Sequence, residues 1–239
     1  MPQQSKRFGA AKAKVELGRR YSLADATQLV KDSATARFNE SVDAAIRLGV
    51  DPRHADQMVR GACSLPHGIG KQVRILVFAQ GEAARIAEEA GADVVGGAEL
   101  VEKILNENYL EFDKAIASRD MMGQVGRLGR VLGPRGLMPN PKVGTVVGPE
   151  AIAATIKDLR GGKIDFRVEK AGIVQATIGR ASMSPQELTD NLLTLVSTLL
   201  RLKPSTAKGT YLKSIAISST MGPGVRIDTL EAQRAAEGL

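Results

Sequence analysis

Seventeen residues, Gly126 to Lys142, concentrate the most unusual chemistry of the sequence. They hold four basic side chains (Arg127, Arg130, Arg135 and Lys142), four glycines, three prolines and no acid. Bare backbone N–H groups beside guanidinium forks suit phosphate oxygens. A solvated connecting loop would share that composition, so the segment needs support from elsewhere. Other chemistries lack their parts. Gly70-Lys71 invites a P-loop reading, but Leu65 stands where the first glycine belongs and Gln72 where Ser or Thr must follow. No G-x-G-x-x-G follows an expected strand, which argues against a dinucleotide site. His54 and His67 fall in expected loops, away from any paired acid, so neither a His-based hydrolase nor a metal site has its ligands. Glu88 and Glu89 are neighbours and point to different helix faces, a poor carboxylate pair. Cys63 is the single cysteine, so no intrachain disulfide can form, and it reads as a small buried hydrophobe. The sequence predicts no enzyme, no metal and no cofactor.

The elements that would position any site fall into two styles. Six basic residues and one acid, Glu16, occupy the first twenty positions: a short basic helix, a nucleic-acid arm or a solvated terminus. Ser22 reads as an N-cap ahead of the helical stripe Leu23, Ala26, Leu29 and Val30. Val42, Ala44, Ile46 and Leu48 alternate as in a half-buried strand, and a second short strand is expected over Met58 to Leu65. From Pro66 the texture changes. Val73 to Ala79 reads as a strand covered on both faces. Helix, strand, helix and strand follow over Gly81–Ala90, Gly91–Val95, Glu99–Asn106 and Phe112–Ile116, and Ser118 reads as the cap of another helix. That alternation implies a mostly parallel sheet. After Gly161-Gly162 a hairpin is expected, with Ile164–Val168 and Ile173–Ile178 as its arms. Ser184-Pro185-Gln186-Glu187 opens a helix, and a last strand covers Thr210 to Thr220.

Neither end of the chain holds enough strands for a sheet of its own. The expected fold is therefore mixed α/β and α+β, in two domains. Residues 1–67 and 160–239 form a discontinuous α+β domain with an antiparallel sheet. Residues 68–159 form an inserted three-layer α/β, Rossmann-like domain. Gly68, Gly70, Gly161 and Gly162 stand at the two crossings, as hinges or as ordinary turn glycines. The charge follows the same division. The chain carries +7, while residues 68–159 hold 11 basic and 12 acidic side chains and the two ends hold 22 and 14. Phosphate neutralisation dominates nucleic-acid affinity, so the split domain is the expected nucleic-acid surface. With aromatics at 3% and no Trp, long base-stacking platforms are not expected. No apolar run nears the roughly 20 residues of a membrane span, and the N-terminus lacks a signal-peptide core. A cytoplasmic protein is expected.

The run Gly126 to Val146 resembles the signature of the large-subunit ribosomal protein L-one family, the protein of the mobile stalk beside the tRNA exit site. Three further stretches resemble that family in the same order: Ala36-Arg37-Phe38-Asn39-Glu40-Ser41-Val42, Gly162-Lys163-Ile164-Asp165-Phe166-Arg167, and Ser219-Thr220-Met221-Gly222-Pro223-Gly224-Val225-Arg226. The resemblance implies two domains, the first discontinuous, and binding to the folded stalk region of the large-subunit rRNA. It also implies contact with the exit-site tRNA and assistance to its release, repression of the protein's own mRNA, and association with the rest of the large subunit. By match to the motifs, the rRNA contacts are Arg37, Phe38, Glu40, Ser41, Thr220, Met221 and Gly222, with Arg167 and Lys170 nearby. Glu40 would accept hydrogen bonds from ribose 2′-OH groups. Gly222 would let RNA approach the backbone closely. Arg37 and Asn39 stand where Lys and Asp are commoner, and the Asn would alter one local hydrogen bond. Two other classes compete: an enzyme using the inserted domain as a nucleotide fold, and a general nucleic-acid chaperone without a specific site.

Overall fold

Helix α1 (Lys6–Ala13) opens the computed structural model, which describes residues 5–16 and 18–238. Of the readings open for the basic N-terminus, the helix is the one formed. Helix α2 (Leu23–Ser33) starts as expected, the Ser22 hydroxyl accepting from the Asp25 N–H. Strand β1 (Ser41–Leu48) buries Val42, Ala44, Ile46 and Leu48 and turns Ala45 and Arg47 outward. Strand β2 (Arg60–Ser64) follows. Next come β3 (Ile75–Phe78), α3 (Glu82–Glu89), β4 (Val94–Gly96), α4 (Ala98–Glu107), β5 (Lys114–Ser118), α5 (Met122–Val125), α6 (Gly129–Leu132), β6 (Val146–Val147) and α7 (Pro149–Arg160). The chain ends with β7 (Lys163–Arg167), β8 (Ile173–Arg180), α8 (Pro185–Arg201), β9 (Leu212–Ser219), β10 (Val225–Ile227) and α9 (Thr229–Glu237). Helix α8 has the full capping box that Ser184 and Glu187 predict.

The chain divides into two compact units. One combines the residues up to Gly70 with those from Gly162 onward; the other is Lys71–Gly161. The changeovers fall slightly C-terminal of the boundaries drawn from sequence texture. With Arg160 inside it, the second unit holds 12 basic and 12 acidic residues, so the whole excess of +7 belongs to the split unit.

In the split unit the strand order is β10-β9-β1-β8, all antiparallel, beside a two-stranded β2-β7 sheet. Strand β1 comes from the N-terminal part and lies between β8 and β9 from the C-terminal part, so neither part could close the sheet alone. One face carries a core in which Val42, Ile46, Val174, Ile178, Ile215 and Ile217 meet α2, α8 and α9. In the second unit four parallel strands run in the order β4-β3-β5-β6. Leu76 and Phe78 face a core with Leu100, Val101 and Ile104 of α4, while Ile75 and Val77 face one with Ala83, Ala87, Ile152 and Ile156 of α3 and α7. That is the expected three-layer α/β arrangement. Each large side chain so buried contributes about 1.5–3 kcal/mol.

Five local expectations need correction. Arms β7 and β8 do not zip into a hairpin: β7 pairs with β2 and β8 with β1, joined only by a Val168–Val174 bridge. Strand β8 gains in β1 a partner of eight residues where β7 would offer five, and β7 pairs over its full length with the five residues of β2. The stretch from Gly126 is not an open loop. Val125, Leu128 and Leu132 recur at helical spacing and are buried, which pulls the backbone into short helical turns. Ser118 stands at the N-cap of the helical turns that begin at Arg119 but makes no side-chain cap. The Thr210–Thr220 strand is not the last: it ends at Ser219, and after the Met221-Gly222-Pro223-Gly224 turn β10 and α9 follow, the latter capped by Asp228. His67 is not alone: its Nε2 lies 3.0 Å from Asp190 Oδ2, a partner that only the tertiary fold supplies.

The two crossings of the split unit are fixed to each other. Leu65 N–H donates to the Gly162 carbonyl at 3.3 Å. Gly162 has φ +100, and a Cβ there would lie 2.3 Å from the Gly68 Cα, so only glycine fits. Fully buried Asn191 completes the joint: its amide accepts from His67 N–H and donates to the Gly68 and Ile178 carbonyls. Gly68 and Gly70 also have positive φ, whereas Gly161 is an ordinary helical C-cap residue.

Candidate nucleic-acid interface

Two loops meet at the Ser41 end of β1, one leading into it and one leaving β9. Ser41 N–H donates to the Thr220 hydroxyl oxygen at 3.0 Å, and Thr220 N–H donates to the Ser41 carbonyl at 3.0 Å. Beneath them lies Glu40, only 1% exposed. Its carboxylate accepts from Ala36 N–H at 2.8 Å and from Met221 N–H at 2.9 Å, one bond to each loop. Burial alone would raise the Glu40 carboxyl; the Met221 and Ala36 hydrogen bonds outweigh it, and the group stays below its ordinary value, with Arg7 of α1 adding a favourable charge. The direct ribose contact expected of Glu40 is therefore corrected: both oxygens already serve the backbone, and the side chain is out of reach of a ligand. Its work is to lock one loop to the other.

That lock presents two apolar side chains to solvent. Phe38 is 56% exposed and Met221 47%, among the few large hydrophobics left uncovered, with Arg37 and Thr220 exposed beside them. Gly222 is explained from below. A Cβ there would lie 2.4 Å from the Ser219 hydroxyl oxygen, so the turn can close over Ser219 only without a side chain. Asn39 accepts from Ser182 N–H and donates to the Ser182 hydroxyl, and its carbonyl accepts from Arg180. An aspartate could not donate that bond. The structure thus brings together Arg37, Phe38, Glu40, Ser41, Thr220, Met221 and Gly222.

Arg167 and Lys170 are not in that group. They lie at the opposite end of the sheet, where Leu48 N–H bonds to the Gly172 carbonyl. Strand β1 alone separates the two ends by roughly 23 Å at about 3.3 Å per residue. There Arg53, Arg167 and Lys170 line a cavity of about 920 Å³ with Pro52 and Met58, and Glu169 is an acid on its wall. Arg60 pairs directly across from Arg167 in the β2-β7 register. Arg53 and Arg60 escaped the sequence reading because their loop and strand carry no motif. The register that places Arg60 opposite Arg167 is visible only in three dimensions.

In the second unit, Arg127, Arg130, Arg135 and Lys142 are all exposed, with no ion pair among the described residues. The hydrophobic residues between them form the inner side of the same turns. Asp113 anchors the first strand of this unit, accepting from Lys71 at 2.7 Å and from Arg74 N–H at 3.1 Å. Burial raises its carboxyl, but these bonds and charges win and hold it below its ordinary value. Cys63 is buried against the Thr198 hydroxyl, and burial pushes its thiol up, so it is no nucleophile. Among the described residues no cluster of His, Cys, Asp and Glu could hold a metal, and no helix is long and apolar enough to cross a membrane. The model of the ribosomal protein L1p/L10e family matches residues 30–223 of the chain.

Proposed function

The chain belongs to the ribosomal protein L1p/L10e family, and on that premise we propose that the Phe38–Met221 end of its split unit grips the folded stalk region of the large-subunit rRNA. The family is one of structural ribosomal proteins that bind rRNA, not of enzymes. The observation that carries the finer reading is the lock itself: a buried carboxylate spent on holding two loops so that Phe38 and Met221 stay in water. Exposing two large apolar side chains on braced loops gains nothing within the monomer, and it suits a partner that covers them. Phe38 stacks on a base or ribose, Met221 fills beside it, and Arg37 with the basic chain ends takes phosphates. In a filter-binding titration with a stalk-rRNA fragment, Phe38→Ala/Met221→Ala weakens binding by about 1–3 kcal/mol per lost stacking contact. Wild-type affinity in that variant would sink the reading.

The opposite end supports a second partner. Arg53, Arg60, Arg167 and Lys170 form a basic group apart from Phe38, and their charge suits the exit-site tRNA, whose release the protein assists in this proposal. Replacing Arg53, Arg167 and Lys170 with Ala lowers binding of deacylated tRNA to ribosomes and leaves stalk-fragment affinity unchanged. The protein's own mRNA is proposed to occupy the Phe38–Met221 end, competing with rRNA there; an excess of stalk fragment then relieves repression in a translation assay. Arg127, Arg130, Arg135 and Lys142 are proposed as phosphate contacts of the second unit, and Gly68, Gly70, Gly161 and Gly162 as the points where the chain bends between units.

A further inference from the structure

The outer face of the four-stranded sheet carries a cluster of cations that neither end of the sheet uses. Tyr21 bridges Ile227 in parallel, with Tyr21 N–H donating to the Arg226 carbonyl and Asp228 N–H to the Tyr21 carbonyl. Tyr21 and Ile227 are buried, so the residues before them, Arg20 and Arg226, turn outward side by side. Across the sheet Arg226 pairs with Ala216, and Arg47 with Ser214. Lys213 stands next to Ser214. The four cations line one cavity of about 250 Å³, with the Ser214 and Thr229 hydroxyls between them. Among the described residues none of the four forms an ion pair. Asp228 accepts from Leu230 N–H and Glu231 from Leu23 N–H, and Asp43, on the same face of β1 as Arg47, accepts from the Thr177 hydroxyl.

Four like charges on one cavity repel one another, and within the protein nothing offsets that cost. The row from Arg20 through β10 and β9 to Arg47 spans three strand spacings, about 14 Å. That is too wide for one phosphate group and suits a run of successive phosphodiesters. The floor is small, Ala45, Ser214 and Ala216, so a backbone can approach closely, and no aromatic ring is there to stack a base. The face is also continuous with the Phe38–Met221 end, since Ser41, Asp43, Ala45 and Arg47 alternate outward along β1. We propose that this cradle binds the sugar–phosphate backbone of RNA, without regard to sequence, as the bound strand runs down the sheet. The inference rests on the RNA-binding reading for its partner but not on the Phe38–Met221 grip.

The test uses the full chain and two probes, a stalk-rRNA fragment and a random RNA of equal length, titrated over a range of potassium chloride. Arg47→Gln/Arg226→Gln removes two phosphate contacts, so the slope of log affinity against log salt falls by about 1.4–1.8 for both probes, at roughly 0.7–0.9 per contact. Arg47→Lys/Arg226→Lys restores it, which a merely structural role would not do. An unchanged slope overturns the cradle. So does stabilisation of the wild type by sodium pyrophosphate that the Gln variant lacks while the RNA slope stays put, since that marks a small-anion site. Phe38→Ala/Met221→Ala reports separately: it loses the preference for the stalk fragment and keeps the shared salt slope, so either proposal can fail without the other.

Discussion

Replacing Glu40 with Gln separates a brace from a ligand. The buried carboxylate holds two part-buried backbone donors, Ala36 N–H and Met221 N–H, at 2.8 and 2.9 Å. A Gln amide can accept at its carbonyl oxygen only, and its NH₂ must face the other donor. One charge-assisted bond is lost and one part-buried N–H loses its partner, a cost of about 1.5–3 kcal/mol. The loss falls on the joint between the loops, so the free protein becomes less stable in urea and the Phe38 and Met221 loops separate more often. Affinity for the stalk fragment then drops about 10- to 100-fold, each factor of ten being about 1.4 kcal/mol. A direct ribose contact predicts something different: affinity falls while the free protein keeps its full stability. Urea unfolding beside filter binding decides between them, and a Glu40→Gln protein with wild-type unfolding would refute the brace.

Phe38→Ala alone should leave unfolding within about 0.5 kcal/mol of wild type, because the ring is solvent-exposed, while weakening RNA binding; equilibrium unfolding and binding on one preparation check it. Gly162→Ala should cost more than about 2 kcal/mol in urea, since the new Cβ meets the Gly68 backbone and φ is +100, whereas Gly161→Ala, in a helical conformation, should cost far less. Glu40 and Asp113 are both held below their ordinary values of 4.5 and 3.8. Their contribution to stability is present above those values and is lost as the pH falls through the lower folded-state values, so stability measured by thermal unfolding should decline below about pH 4.5, less steeply in Glu40→Gln.

What could be read from the sequence followed from periodicity and caps. Alternation in β1, the Ser22 and Ser184 caps and the apolar β3 run all set local structure by local rules, and the fold keeps them. The basic excess of the chain ends was also legible, because net charge needs no geometry. The errors arose where a distant partner decides. Ile164–Val168 and Ile173–Ile178 look like a hairpin until β2 and β1 compete for them. Glu40 looks like a ligand from its place in a motif, and only its burial and two backbone bonds show that it is a brace. Arg167 and Lys170 follow Gly162 closely in sequence, which says nothing of their distance from Phe38. The Gly126 segment misleads by composition, since glycine and proline suggest a loop while Val125, Leu128 and Leu132 keep helical spacing underneath.

The residues that leave the split unit and those that return to it are bonded neighbours: Ser64 pairs with Lys163, and Leu65 N–H reaches the Gly162 carbonyl. Seen from the β2-β7 ladder, the entire second unit is a decoration on the tip of a two-stranded ribbon. Lengthening such a tip raises the chain-closure entropy only as the logarithm of its length. A short Gly-containing turn joining residues 70 and 162 could therefore replace the excursion and leave the split unit, with its Asn191 joint, intact. The chain's most conspicuous interruption is, for the half that carries the charge, a removable part.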